Sequence, residues 1–463
     1  MKKIFLGIYF LIVIFANPNG TMISNSVLNG AINFVEKGSF QIDILASFDI
    51  ATSDKNPELI KRRYFSGLMP GATFIAIPYY FIFQKLIPHL PFRLSKKNVY
   101  IDVASRPQNK QQAIEQKKIR HKIYYLQIIM VLLFMAPMAA WLFTQLVRFI
   151  KFLYPDDPKF SLYFPMSIML GTFILPYFGV YSRQGISNLL LWNSVLFLLN
   201  QKQFKNWHFT LCGVLTALAA SCDLWISASS ACAGILLYHH FRFNKVQIGY
   251  YILGTIFPAA LYFSYQQINF GKALSTSYHF RPQFAHYNAE SENSLQHTKT
   301  LFDPFFVPSL KIIKSLLFSL NKGLFIYSPI LLLSIGGIIL GINNKLTSKV
   351  YIYSSIGVTL LYLLLNSGLR SIQVWGGLTF FWGPRYLVSS IAWYSLGMII
   401  FYKNFPRIFK VVMTVSIFIN FLGLMYGYQM INYQHFGMKP TYHIWDFLVQ
   451  FFTSGPILGL FKI

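Results

Sequence analysis

The sequence is short of charged residues, and of acidic residues above all. Only 12% of its 463 residues are charged, with 14 Asp or Glu against 40 Lys or Arg. Soluble domains usually contain about 25% charged residues, so this composition excludes a cytosolic globular protein. The 54% of hydrophobic residues and the mean hydropathy of +0.46 indicate a polytopic membrane protein instead.

Motifs for metals and nucleotide cofactors are also lacking. The three cysteines, Cys212, Cys222 and Cys232, form no CxxC pair and are interpreted as small hydrophobic residues. There is no HExxH motif and no paired acidic motif in the outer segments, so no metal is implied. The absence of a P-loop or a dinucleotide-binding glycine pattern argues against direct use of ATP or NAD. We therefore expect no cofactor.

Hydrophobic runs organise the whole chain, and their number predicts an all-α polytopic protein with 11 or 12 hydrophobic helices. Lys2 and Lys3 precede the first run, which suits a cleaved signal peptide or, as we favour, an uncleaved anchor. Several runs are shorter than the roughly 20 residues that a perpendicular helix needs, which favours broken or shallow helices beside a cavity. The runs are 4–16, 68–88, 123–147, 162–180, 184–200, 209–221, 224–239, 247–265, 323–341, 350–366, 384–401 and 408–428.

The positive charges lie mostly in the connections between these runs, where they suit anionic lipid headgroups, so no nucleic-acid partner is needed. Two arrangements in the membrane remain open. In the first, 68–88 crosses fully, 89–122 is cytoplasmic and 209–239 crosses once. In the second, 68–88 dips without crossing, 89–122 lies outside and 209–239 forms a hairpin.

Both arrangements predict one integral domain over residues 1–463, with the N-terminus and the cluster around Lys403 in the cytoplasm. No internal repeat or low-complexity linker divides the chain. A site would then be assembled on the outer face. The outer segments common to both arrangements are 17–67, 266–322, 367–383 and the tail 429–463.

The scarce acidic residues concentrate in the first outer segment. A carboxylate at the boundary between water and membrane can act as a general base, although acids are also ordinary in a solvated loop. Asp223 differs because it interrupts an apolar stretch. It is either a functional group at membrane depth or the exposed tip of a helical hairpin. The acids of segment 17–67 are Glu36, Asp43, Asp49, Asp54 and Glu58.

Basic residues on the outer face suggest a site for an anionic lipid headgroup. Arg385 lies in the string WGPRYL, where Pro384 is expected to begin a helix, and a helix N-terminus with an arginine fork suits a phosphate. Interfacial snorkelling is the simpler interpretation. Arg183, in YSRQG, would face the same cavity if its side is outer. Substrate contacts are also expected from His279, Arg281 and Tyr386.

Six strings resemble those of the GT-C superfamily, the multi-span glycosyltransferases that use lipid-linked sugars. The likeness covers nearly the whole chain and is nearest to bacterial relatives of the protein O-mannosyltransferases. The last two strings are the most specific, and YSRQG favours the second membrane arrangement. The strings are VEKGSFQID (35–43), ATSDK (51–55), YFSGLMPGATFIAIPYY (64–80), YSRQG (181–185), GLFIYSPILLL (323–333) and WGGLTFFWGPRYL (375–387).

The resemblance implies a GT-C fold and transfer of a sugar, with inversion, from a polyprenyl-phosphate carrier to a hydroxyl-bearing lipid, glycan or protein. Arg385 and Arg183 would bind the carrier's phosphate, without a metal. The base would be Asp54, Asp43 or Asp49, with Asp54 slightly ahead because Lys55 follows it in the family-like string. The acid that the family usually carries soon after the first span is missing, because 17–26 contains none.

Localisation in a bacterial inner membrane, with the active face periplasmic, follows from the same resemblance. A flippase for a lipid-linked saccharide is the main alternative, and it would be expected to show inverted repeats and several charges within the membrane. The sequence offers one such acid, Asp223, and no repeat. A polymerase with an arginine-rich outer loop ranks below both, because 266–322 contains only Arg281.

Overall fold

The structure is a computed structural model with side chains, and it describes most of the chain. Its described part is almost entirely helical, which confirms the all-α prediction at that level. The described residues are 1–16, 22–42, 50–52, 63–91, 109–280, 307–320, 322–342, 349–368, 382–426 and 452.

The first part of the chain combines three helices with a short two-stranded ribbon. The two strands pair antiparallel, with Ile50 opposite Ser66. The elements are α1 (Lys2–Ile14), α2 (Met22–Lys37), β1 (Ile50–Ala51), β2 (Phe65–Ser66) and α3 (Gly71–Phe83).

Helices α2 and α3 lie side by side and run in the same direction. Near their beginnings, the Thr73 hydroxyl donates to the Val27 carbonyl at 3.2 Å. Near their ends, the Tyr80 hydroxyl donates to the Glu36 carboxylate, which also forms an ion pair with Lys122 at 2.7 Å. These contacts hold the end of α2 against α3 and against the later helix that carries Lys122.

A long, nearly continuous helix leads into the centre of the molecule. Residues Lys110–Leu153 form 44 residues of helix with one π-helical turn, Val131–Met135. The next apolar run, 162–180, was predicted as one segment, but it contains a second π-helical turn, Met166–Leu170, and a break after it. The helices of this part are α4 (Lys110–Met130), α5 (Ala136–Leu153), α6 (Phe160–Pro165), α7 (Leu175–Phe178) and α8 (Arg183–Leu199).

The central helix is α8, which is buried on nearly all sides although it begins with Arg183, Gln184 and other polar residues. Three helices and one short 3-10 helix, Ser277–Phe280, follow it. These helices are α9 (Asn206–Cys222), α10 (Ile226–Phe241) and α11 (Lys245–Phe270).

The last described part contains broken helices, as the short apolar runs predicted. The run 323–341 is interrupted at Ser328 and Pro329, and the run 384–401 begins as a 3-10 helix, Arg385–Tyr394. The helices are α12 (Leu310–Phe318), α13 (Leu324–Tyr327), α14 (Ile330–Ile342), α15 (Lys349–Ser367), α16 (Ser395–Asn404) and α17 (Pro406–Tyr426).

Four helices of the described part are long and apolar enough to cross a membrane, which supports a membrane protein. Other apolar helices are shorter. Helix α3, for example, has 13 residues, and at a rise of about 1.5 Å per residue it spans less than the roughly 30 Å of hydrocarbon. The long helices are Lys110–Leu153, Lys245–Phe270, Lys349–Ser367 and Pro406–Met425.

Glycines bring pairs of helices into backbone contact. A Cβ on Gly213 of α9 would lie 2.1 Å from the Tyr251 carbonyl oxygen of α11, and a Cβ on Gly254 of α11 would lie 2.1 Å from the Thr210 oxygen of α9. The same close approach joins Gly337 of α14 and Gly397 of α16. Small residues are typical of helix contacts in membranes, where close packing replaces the hydrophobic drive between helices.

Candidate functional site

Four charged side chains are buried within the described residues, and they form one cluster. The exposed fractions are 1% for Asp223, 5% for Arg183, 5% for Arg385 and 8% for Lys322. Both guanidinium groups interact electrostatically with the Asp223 carboxylate, and Arg385 also interacts with Lys322. Because an isolated buried charge is costly, such groups are usually paired or functional.

Arg183 occupies the first position of α8, where the turn before the helix is tightly fixed. The Ser182 side chain caps the helix by accepting from the Gly185 N–H at 3.1 Å, and it donates to the Tyr177 carbonyl at 3.1 Å. A Cβ on Gly185 would lie 2.4 Å from that same carbonyl oxygen. The guanidinium group therefore belongs to a helix N-terminus, whose dipole adds partial positive charge.

Arg385 also begins a helix, directly after Pro384 as predicted, although the first turns are 3-10 rather than α. Trp382 anchors the preceding turn through its indole N–H, which donates to Asn420 of α17 at 3.2 Å. Gly383 has a φ of +64° and lies against Phe173, so this turn favours glycine. The anchored turn fixes where Arg385 enters the protein interior.

Tyr386 packs directly on Arg385 and helps to hold it. The Arg385 Nη2 donates to the Tyr386 hydroxyl at 2.5 Å, and the guanidinium carbon lies 4.5 Å from the centre of the Tyr386 ring. The ring also lies next to Trp225, at 5.5 Å between ring centroids. Tyr386, predicted to contact substrate, thus lies between Arg385 and the chain just after Asp223.

Hydrogen bonds to the Ser229 hydroxyl join the 3-10 helix that begins at Arg385 to α10. The Ser229 hydroxyl donates to the Ser389 carbonyl at 2.7 Å and accepts from the Trp393 indole N–H at 3.0 Å. Tyr362 of α15 lies 3.1 Å from the same hydroxyl and donates to the Trp225 carbonyl. The segments that carry Asp223 and Arg385 are therefore held in one fixed relation.

Asp223 lies at the break between α9 and α10, and its burial shows that the interpretation as an exposed hairpin tip is wrong. Its carboxylate accepts from the Trp225 N–H at 3.4 Å. The residues before it pack against the start of α3, since a Cβ on Gly71 would lie 2.2 Å from the Ser221 hydroxyl and 2.7 Å from the Cys222 nitrogen. The beginning of α3 therefore covers the side of the break that a free hairpin would expose.

The buried surroundings shift the pKa values of Asp223 and Lys322 in opposite directions. Burial raises the pKa of Asp223, while Arg183, the Trp225 N–H and Arg385 oppose that rise by favouring the carboxylate. Burial and the neighbouring Arg385 charge both lower the pKa of Lys322. An added anion beside Arg385 would offset this repulsion between the two cations.

The sequence reasoning missed Lys322, although a signal was present. Lys322 directly precedes the family-like string that begins at Gly323. The basic residues singled out from the sequence were arginines and histidines at predicted helix starts and in outer loops. Lys322 instead lies in the connection between α12 and α13, where only the folded chain brings it near Arg385.

Two predicted outer segments contact each other. The Thr52 N–H of the first segment donates to the Phe280 carbonyl of the second at 2.9 Å, and Phe65 and Phe280 share a small apolar core. The beginning of α3, which follows the first segment, contacts the turn before α8, because the Tyr181 hydroxyl donates to the Ala72 carbonyl at 2.6 Å. That a site is assembled from these segments stays a prediction.

Several predicted site residues fall outside the part of the chain that the structure describes. Asp43, Asp49, Asp54 and Arg281 lie outside the described residues, and for His279 only the backbone is described. Their predicted roles stay predictions. In the part of the chain that is described, His, Cys, Asp and Glu form no group of three suited to a metal ion.

The contacts of the cluster favour the second of the two predicted membrane arrangements. Counting crossings in the first arrangement puts Arg183 on the cytoplasmic face and Arg385 on the outer face. Both residues nevertheless act on the same buried carboxylate. The second arrangement puts both at the outer face, and the Glu36–Lys122 ion pair likewise joins segments that it places on one side.

The chain was compared with known protein families, curated proteins and solved structures, and no match was found in any of the three. Functional interpretation therefore depends on the chemistry of the cluster itself.

Proposed function

We propose that this protein is a membrane glycosyltransferase that moves a sugar from a polyprenyl-phosphate carrier to a hydroxyl-bearing acceptor on the outer side of a bacterial inner membrane. The observation that carries the proposal is the burial of Arg183 and Arg385 where both interact with the Asp223 carboxylate, with the buried Lys322 beside Arg385. An anion of lipid origin suits such a site in a protein made largely of apolar helices.

Two features of the cluster favour phosphate as that anion. Arg183 and Arg385 each occupy the first position of a helix, so backbone N–H groups and helix dipoles add to the guanidinium charge. A guanidinium group can also hold two phosphate oxygens at once. Neither feature depends on a metal.

The reaction follows from where charge develops. As the bond between the sugar C1 and the phosphate oxygen breaks, the phosphate gains negative charge, and preorganised cations stabilise that charge more in the transition state than in the ground state. The acceptor oxygen attacks C1 from the opposite face and loses its proton to a base. Asp54, Asp43 and Asp49 remain the candidates for that base.

The direct test is transfer of a radiolabelled sugar. Purified protein is supplied with undecaprenyl-phosphate monosaccharides of several sugar types and with membrane acceptors. We expect transfer by the wild type, a loss of about 10²-fold or more in Arg385→Ala and Arg183→Ala, and little change in Arg407→Ala. Arg407 is the matched control because it is an exposed arginine on α17.

Absence of transfer with every sugar would contradict the proposal. The flippase alternative would be favoured if proteoliposomes moved the lipid-linked sugar across the bilayer without consuming it. Retention of full transfer in both Arg385→Ala and Arg183→Ala would instead remove the cluster from the mechanism.

A further inference from the structure

Helix α12 exposes a row of apolar and basic side chains. Leu310, Lys314 and Phe318 follow one another at intervals of four residues, so they form one stripe along the helix. Leu310 is 83% exposed and Phe318 is 52% exposed, and Lys314 is exposed between them. Lys311 is exposed beside this stripe. Two large apolar side chains therefore flank two lysines on one outward face of α12.

The other side of α12 is fixed to the protein. Leu316, on the side away from the stripe, is fully buried. At the end of the helix, the Phe318 ring lies 5.4 Å from the Phe325 ring between centroids, and the Gly323 N–H donates to the Ser319 carbonyl at 2.6 Å. The outward face is therefore held in a fixed orientation.

The neighbour of α12 indicates that this face lies close to lipid. Helix α12 packs against α15, which is long and apolar enough to cross a membrane. Leu360, Leu361 and Leu364 of α15 are exposed, as expected for side chains that face lipid. Both predicted membrane arrangements place α12 on the outer face. Its nine residues extend about 14 Å, which is too short to cross the hydrocarbon and suits the boundary of the bilayer.

The charge of this region is entirely positive. No acidic residue occurs between Asp303 and Asp446, and within the described residues neither Lys311 nor Lys314 forms an ion pair. An anionic lipid surface would meet both the charged and the apolar side chains of the face. An acidic partner in water would pair the lysines but would leave the apolar side chains exposed.

We propose that the outward face of α12 binds the anionic phospholipid surface of the outer leaflet. Leu310 and Phe318 enter the upper part of the acyl-chain layer, and Lys311 and Lys314 lie beside the lipid phosphates. Long lysine side chains can keep their ammonium groups among the headgroups while their apolar neighbours stay in the hydrocarbon. This lipid contact does not depend on the proposed sugar transfer, and it holds the connection between α12 and α13 at the membrane surface.

The test places single fluorescent labels on the full-length protein in nanodiscs of phosphatidylcholine and phosphatidylglycerol, after its three cysteines have been replaced. Bimane on Leu310→Cys or Phe318→Cys should be quenched more by lipid with a spin label near the headgroup than by aqueous iodide. Leu360→Cys, on the exposed side of α15, is the lipid control and should be quenched best by a spin label deep in the acyl chain. Lys110→Cys, at the exposed start of α4, is the control for water and should respond to iodide only.

The role of the lysines is tested by comparing two spin-labelled lipids at Leu310→Cys. Phosphatidylglycerol should quench about twofold more than phosphatidylcholine, or better, because each lysine near an anionic surface adds to the attraction. The preference should disappear when Lys311→Gln and Lys314→Gln are combined. Lys117→Gln combined with Lys118→Gln removes the same charge from exposed positions of α4 and should leave the preference unchanged.

Quenching of Leu310→Cys by iodide alone would overturn the proposal. Absence of quenching by either agent would also overturn it, because protein would then cover the face. Equal quenching by the two lipids, or a preference that survives loss of both lysines, would contradict the anionic surface. If a small fraction of farnesyl phosphate abolished the phosphatidylglycerol preference, the face would bind the carrier lipid and the proposal would be wrong.

Discussion

Gly383 permits the tight turn that leads to Arg385, two residues later. Its φ of +64° lies in the left-handed region, and a Cβ there would be 2.9 Å from the Phe173 ring. Gly383→Ala is expected to destabilise the fold by about 1–2 kcal/mol from the backbone alone, with a further cost from the contact. The melting temperature in detergent should fall, and farnesyl phosphate binding should weaken because Arg385 moves with the turn.

Gly357 supplies the matched control for that substitution. It lies on α15, has ordinary helical φ, and has no atom near the place of an added Cβ. Gly357→Ala should leave the fold equally stable or stabilise it by up to about 1 kcal/mol, since alanine favours helices. If the two variants melt at the same temperature, Gly383 does not constrain the turn.

The individual residues of the cluster differ in how far the sequence could predict them. Arg183 and Arg385 could be singled out from the sequence because each lies at the beginning of an apolar run, where a helix starts. Asp223 was noticed because an acid stands out in apolar sequence, but its burial depends on packing by Gly71, more than 150 residues earlier. Lys322 had no local signal beyond its neighbouring string. Long-range contacts of this kind cannot be read from spacing.

Helices α9 and α11 pack through reciprocal glycines, which gives a prediction at the scale of elements. Gly213→Val would drive side-chain atoms into the Tyr251 carbonyl, from which a Cβ alone is only 2.1 Å distant. Overpacking typically destabilises by about 1–3 kcal/mol, so the melting temperature in detergent should fall clearly. Gly249→Val, on an open position of α11, is the control and should have a much smaller effect.

A Gly213→Val protein as stable as Gly249→Val would mean that α9 and α11 are not in backbone contact.

Apolar runs did predict where most long helices lie, such as 247–265 within α11 and 350–366 within α15. The π-helical turns and the break at Ser328 and Pro329 were not located, because hydropathy reports burial and does not report backbone geometry.

The arrangement of the whole chain in the membrane can be tested by cysteine labelling. In a chain whose three cysteines have been replaced, single cysteines are introduced at the exposed positions Lys37, Lys118 and Lys403. The Glu36–Lys122 ion pair predicts that Lys37→Cys and Lys118→Cys react with an impermeant maleimide from the same side. Lys403→Cys should react only from the other side.

Labelling of Lys118→Cys from the same side as Lys403→Cys would restore the first arrangement and contradict the joint outer position of Arg183 and Arg385.

The number of crossings was the least predictable feature of the whole molecule. The charge bias alone favoured a cytoplasmic position for 89–122. The Glu36–Lys122 ion pair and the interactions of Asp223 with the two arginines favour an outer position instead.

The central claim is that the buried cations hold the phosphate of a polyprenyl carrier. An electron cryomicroscopy structure of the full chain in nanodiscs with undecaprenyl phosphate tests it most directly. The claim predicts phosphate density within hydrogen-bond reach, about 2.7–3.2 Å, of guanidinium nitrogens of both Arg183 and Arg385. Phosphate density bound elsewhere on the protein, with the two arginines and Asp223 unchanged and empty of ligand, would contradict it.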